Sequence, residues 1–111
     1  VRTVWKYTID CNVGYGPKNF YLVEAPAGAL VIAVGPTNGG GSPMAVDIHA
    51  EVETTVRERA TLAFVLVETG KPMPDPSFYS SLIYRGTARL LSGAYVIHVY
   101  EVVGLRDPAA Q

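Results

Sequence analysis

An all-β domain, either a β-sandwich or a small barrel of about seven mainly antiparallel strands, is the fold this sequence predicts. Two observations carry it. Apolar residues recur with a period of two through most of the chain, the mark of strands with one face buried. No segment keeps the 3.6-residue spacing of an amphipathic helix. The whole of residues 1–111 reads as one domain, with a Gly-rich loop over 35–43, a Pro-rich loop over 70–78 and a tail over 104–111.

The elements follow in order. In TVWKYTIDC, Trp5, Tyr7, Ile9 and Cys11 share one face and Lys6, Thr8 and Asp10 the other, a half-buried strand. NVGYGPKN is a loop by its Gly-x-Gly-Pro. FYLVEA is a second, short strand, turned by Pro26 and Gly28. ALVIAVG is apolar on both faces and rich in β-formers, which predicts a central strand covered twice. GPTNGGGSP contains three successive glycines and defines no conformation by itself. Without a Gly-Lys-Ser/Thr ending and a following helix, it does not read as a phosphate cradle.

MAVDIHAEVE alternates most cleanly: Met44, Val46, Ile48, Ala50 and Val52 inward, Asp47, His49, Glu51 and Glu53 outward. TTVRER reads as a turn, with Val52, Val56 and Ala60 also at short-helix spacing. ATLAFVLVE is a second strongly buried strand. TGKPMPDPS holds three prolines in five residues and is therefore an extended connection outside any ladder. SLIYRGTARLL and AYVIHVYEVV form a hairpin about Ser92 and Gly93. Gly86, inside its first arm, marks a bulge or a close backbone approach.

Bulk composition narrows the classes of function. Charged residues make up 17% of the chain, below the roughly 25% of an average soluble domain. Either Ser, Thr, Gly and Pro cover the surface instead, or part of the outside faces another protein. Net charge is −1, with acidic and basic residues interspersed, so the electrostatic footprint of nucleic-acid binding is missing. Neither a basic amphipathic helix nor a long apolar run suggests a membrane role. A single cysteine, Cys11, excludes an internal disulfide, and VRTVWKYTID lacks a signal-peptide core. The expectation is a protein made in a reducing cytoplasm and not secreted.

Chemically capable side chains are sparse. Asp47, His49 and Glu51 stand at i, i+2 positions on one strand face and could converge on a metal or serve acid–base chemistry. The ordinary reading of such a trio is the solvated side of an amphipathic strand. His98 lies in an apolar strand with Val96 and Tyr100 on its face, which favours a packed or edge-exposed histidine over a catalytic one. No serine occupies a nucleophile elbow, and Cys11 falls on the inward face, where a thiol is inert. No catalytic residue, metal site or cofactor is assigned. Aromatic residues at loops and edges favour interfaces, so Tyr15, Phe78, Tyr79, His98 and Tyr100 are the interface candidates.

Three stretches carry a resemblance: WKY at 5–7, ETGKPMP at 68–74 and YRGTARLLSGAYVIHVYE at 84–101. Together they resemble a family of small all-β proteins of unknown function from actinobacteria and their phages. In that family a Trp-Lys-Tyr opening precedes a Gly-Thr-Gly-His-Pro-like turn and a His-Val-Phe-Glu-like last strand. The resemblance runs from about residue 4 to 102. Lys71 stands where the family often has its turn histidine, which weakens any catalytic role for that position. The resemblance implies a phage or actinobacterial setting, and no activity or cofactor.

Three functions follow as expectations. The first is a non-enzymatic phage minor capsid, or decoration, protein bound to the assembled shell, with the major capsid protein or a second copy as partner and the virion as its location. The second is a soluble accessory module that captures a small molecule or a host protein, for instance against a defence system. The third is an enzyme of metal-assisted hydrolysis built on Asp47, His49 and Glu51.

Overall fold

The computed structural model describes residues 1–11, 20–37 and 43–106. The period-two segments become seven strands: β1 (Arg2–Asp10), β2 (Phe20–Pro26), β3 (Leu30–Pro36), β4 (Ala45–Glu53), β5 (Arg59–Glu68), β6 (Ser81–Leu90) and β7 (Tyr95–Val103). They form a three-stranded sheet, β1-β4-β3, and a four-stranded sheet, β2-β5-β7-β6, antiparallel at every ladder. The sheets stay separate rather than closing into a barrel. Of the two predicted forms, the sandwich is the one adopted. Among the described residues no helix is long and apolar enough to cross a membrane.

Alternation explains the main core. Val46 and Ile48 of β4, with Ile9, Cys11 and Val31, meet Phe64, Ala88, Leu90, Ile97 and Val99 of the second sheet. Phe64, Ile48 and Val99 have no exposed surface, and burial of such side chains contributes roughly 1.5–3 kcal/mol each. The period-two reading of β1 holds at its end. Ile9 and Cys11 are buried, whereas Trp5, on the same face, is 37% exposed at the rim.

A second apolar cluster has a topological cause. β5 and β6 both flank β7 and both run antiparallel to it, so they run parallel to each other. Glu68, at the end of β5, pairs with Ile97, while Ser81, at the start of β6, pairs with Val103. Residues 69–80 must therefore travel back along β7. That distance is about 20 Å, well within the reach of about 40 Å for a dozen extended residues. The inner face is filled, so the connection crosses the outer one. Beneath it lie Ala63, Val65, Val67 and Val102, packed with Phe20, Tyr79, Leu82, Tyr100 and Leu105. Pro72, Pro74 and Pro76 keep this segment out of the ladders. It ends in a 3-10 turn, Pro76–Phe78, whose Ser77 N–H donates to the Asp75 carboxylate at 2.9 Å.

Four readings of the sequence need correction. β3 is an edge strand, not a central one: Val31 faces the core, while Leu30 and Ile32 are about half exposed. Ile32 is the extra residue of a bulge between Val31 and Ala33. β7, whose histidine the sequence left open to an edge position, is enclosed by β5 and β6, whereas β1 is an edge. The β6–β7 hairpin turns through Leu91–Ala94 rather than two residues, because Leu90 pairs with Tyr95. Leu91, Ser92 and Gly93 all have positive φ there. Finally, residues 104–106 do not fray: the Arg106 N–H donates to Phe78 O at 2.8 Å, and its guanidinium donates to Ser77 O and Tyr79 O. Most of the Gly-rich stretch, 38–42, and residues 107–111 lie outside the described residues.

Gly86 serves both expected purposes. The β6–β7 register shifts between Tyr84 and Gly86, leaving Arg85 as the extra residue. A Cβ at Gly86 would lie 2.8 Å from Val34 Cβ of β3. The two sheets thus close on one another along β3 and β6 without a shared ladder.

Candidate functional site

His98 sits on the outer face of the four-stranded sheet, because Ile97 and Val99 take the inner one. Its Nε2 is 2.8 Å from Thr69 Oγ1 and its Nδ1 is 3.0 Å from Thr87 Oγ1. Thr87 Oγ1 also shares a hydrogen bond with the Tyr84 hydroxyl. The Tyr84 and Tyr100 rings then meet edge to face, with centroids 5.6 Å apart. Hydroxyl groups both donate and accept, so either imidazole tautomer is satisfied. Both ring nitrogens are thus held by neutral threonine hydroxyls. The arrangement fastens the start of the crossing segment to β6 and β7.

Phe78 and Tyr79 reach the same face from the far end of that segment. The Phe78 ring meets Phe20 edge to face at 6.2 Å, and the Tyr79 hydroxyl donates to Pro74 O at 3.2 Å. Four of the five interface candidates, Phe78, Tyr79, His98 and Tyr100, are therefore gathered on one face, each half-buried. Tyr15 lies outside the described residues.

The trio on β4 faces outward from the other sheet, between β1 and β3. Cross-strand rows read Thr8–Asp47–Gly35, Lys6–His49–Ala33 and Val4–Glu51–Leu30. Asp47 departs from expectation: only 3% of it is exposed. The Thr8 hydroxyl donates to its Oδ1 at 2.6 Å, and Lys6 Nζ stands 3.9 Å from its Oδ2, which offsets the desolvation of the carboxylate. Glu51 accepts from Arg2 Nε at 2.6 Å. The carboxylates are thus turned to partners on β1, not to a shared point. Among the described residues, no group of three or more His, Cys, Asp or Glu side chains is placed to hold a metal ion.

Cys11 is buried, and burial, followed by the nearby Asp10 charge, pushes its thiol up to about 11. At neutral pH it is protonated and a weak nucleophile.

One feature escaped the reading by periodicity. Val4 and Leu30, both 49% exposed, flank Glu51 in a single row, with Ile32 exposed nearby on β3. Apolar character on both faces of ALVIAVG was the signal. It belongs to an edge strand with one face open, not to a strand covered twice.

A family model described as Domain of unknown function (DUF7352) matches residues 1–109. No curated protein and no solved structure matches the chain.

Proposed function

Since the chain belongs to this family of unknown function, we propose from its geometry that it is a non-catalytic protein-binding module, specifically one that decorates an assembled phage capsid. One observation carries the reading: the open face of the three-stranded sheet presents Val4 and Leu30, with Ile32 beside them, each about half exposed. Aliphatic side chains on an uncovered face, interleaved with paired charges, suit a protein interface. The Arg2–Glu51 pair stands among them, with Glu51 between Val4 and Leu30.

The polar inventory supports the same reading. Asp47, Glu51 and His98 are engaged by neighbouring side chains within the fold, which leaves them serving architecture. The phage setting rests on the resemblance of the WKY, ETGKPMP and YRGTARLLSGAYVIHVYE stretches. A shell lattice offers many identical sites, so a modest interface of about 1,000 Å² per copy is multiplied by repetition.

The experiment is co-sedimentation of the purified protein with assembled shells, together with mass spectrometry of purified virions. The protein is expected in particles and in the shell pellet. Its absence from both overturns the capsid assignment, and binding that survives Val4→Lys with Leu30→Lys overturns the assignment of the face.

A further inference from the structure

A cavity of about 300 Å³ opens between the sheets at the end where β5 finishes and β7 begins. Its lining includes Cys11, Met44, Leu66 and Ile97, with Glu68 and Lys71. The register explains its chemistry. Phe64, Leu66 and Glu68 occupy the core-facing positions of β5, and Glu68 pairs with Ile97. Where another apolar side chain would extend the core by one layer, the chain places a carboxylate. The tight turn after β5 then brings in a cation: the Lys71 N–H donates to Glu68 O at 3.0 Å, and Gly70 takes the positive φ that this turn requires. Among the described residues neither Glu68 nor Lys71 belongs to an ion pair. Glu68 is nevertheless half-buried, where an unpaired carboxylate gains from a bound cation.

We infer that this cavity binds a free aliphatic α-amino acid. The ligand's ammonium meets Glu68, its carboxylate meets Lys71, and its side chain lies against Met44, Leu66 and Ile97. The volume sits at the small end of ligand pockets, about 300–1,000 Å³, which selects a compact ligand. One carboxylate beside one ammonium disfavours phosphorylated compounds, whose charge a single lysine does not balance. The apolar floor favours an aliphatic over a polar side chain. The cavity lies between the sheets and is distinct from the outward face assigned to protein binding, so each proposal stands without the other.

The test is a calorimetric and NMR titration of the full chain with L-leucine, isoamylamine and 4-methylpentanoate. The two analogues carry the same aliphatic body with only one of the two charges. Leucine is expected to bind saturably and shift the methyl resonances of Leu66 and Ile97. Each analogue is expected to bind about tenfold more weakly or worse, as is leucine to Glu68→Gln or Lys71→Gln. No saturable binding of leucine at millimolar concentration overturns the inference. So does equal binding of either analogue, a result on the native chain that does not depend on how the variants fold.

Discussion

Gly86 shows how much one missing methyl group can decide. A Cβ there would stand 2.8 Å from Val34 Cβ and 3.3 Å from Val34 Cγ2, so β3 and β6 could not keep their approach. Gly86→Ala is expected to lower stability by about 1–3 kcal/mol, the usual range for overpacking, as read by urea denaturation. Tyr7 presents the opposite case. Among the described residues its hydroxyl is buried without a hydrogen-bond partner, and burial, opposed by Arg59, pushes its ionisation upward. Tyr7→Phe removes an unsatisfied group and is expected to raise stability by roughly 1 kcal/mol. Cys11 gives a pH dependence. Its thiol ionises near 9.0 when unfolded and near 11 when folded. The folded state therefore resists ionisation: stability is level below pH 9 and declines between pH 9 and 11. Alkylation by iodoacetamide at pH 8 should accordingly be slow in the native protein and fast in urea, and Cys11→Ala should lose this part of the alkaline decline. Gly86 could be flagged in the sequence as a glycine inside a strand; the identity of Val34 as its neighbour could not, because 52 positions separate them.

Among the elements, the β6–β7 turn and the crossing segment 69–80 depart furthest from expectation. The Ser-Gly signal located the hairpin correctly. The turn is longer than two residues, with Leu91 at φ 51 and Ser92 at φ 56, conformations that a bulky residue rarely takes. Leu91 is 45% exposed, so little packing is at stake. Leu91→Asn is expected to stabilise the protein by about 0.5–1 kcal/mol, since asparagine tolerates the left-handed region, measured as a rise in Tm. The crossing segment was legible as extended, from its prolines, but not as a cover. What made it a cover is the pairing of β5 and β6 on either side of β7. The Asp75 carboxylate, held below its ordinary range by the Ser77 backbone and hydroxyl, anchors its 3-10 turn. That anchoring is present above the usual carboxylate range and is lost as pH falls through the lowered value. Asp75→Ala should speed amide exchange across 76–80 while leaving β5 and β7 protected.

At the scale of the molecule, the two sheets have unlike outer faces. One is roofed by the crossing segment and by residues 104–106, with Phe78, Tyr79, His98 and Tyr100 drawn into the roofing. The other is open and carries Val4, Leu30 and the Arg2–Glu51 pair. Lysine at positions 4 and 30 should change stability by no more than about 0.5 kcal/mol each, as expected for exposed sites. On the proposed capsid role, the same double variant should remove binding to shells, so that denaturation and co-sedimentation separate fold from interface.

The sequence by itself determined the class of fold, the number of strands and most of their limits, because the period of two is a local property that each strand carries alone. Alternation alone also put Cys11 on the inward face of its strand and set His98 between the apolar Ile97 and Val99. Only the tertiary structure decided which strands are edges, which apolar face is roofed, and that Asp47 is buried against Thr8 and Lys6 rather than solvated. It alone joined Glu68 and Lys71 to Cys11 and Met44 around one cavity. Those outcomes depend on pairings between residues distant in sequence, and alternation fixes which side of a strand is apolar without fixing what covers it.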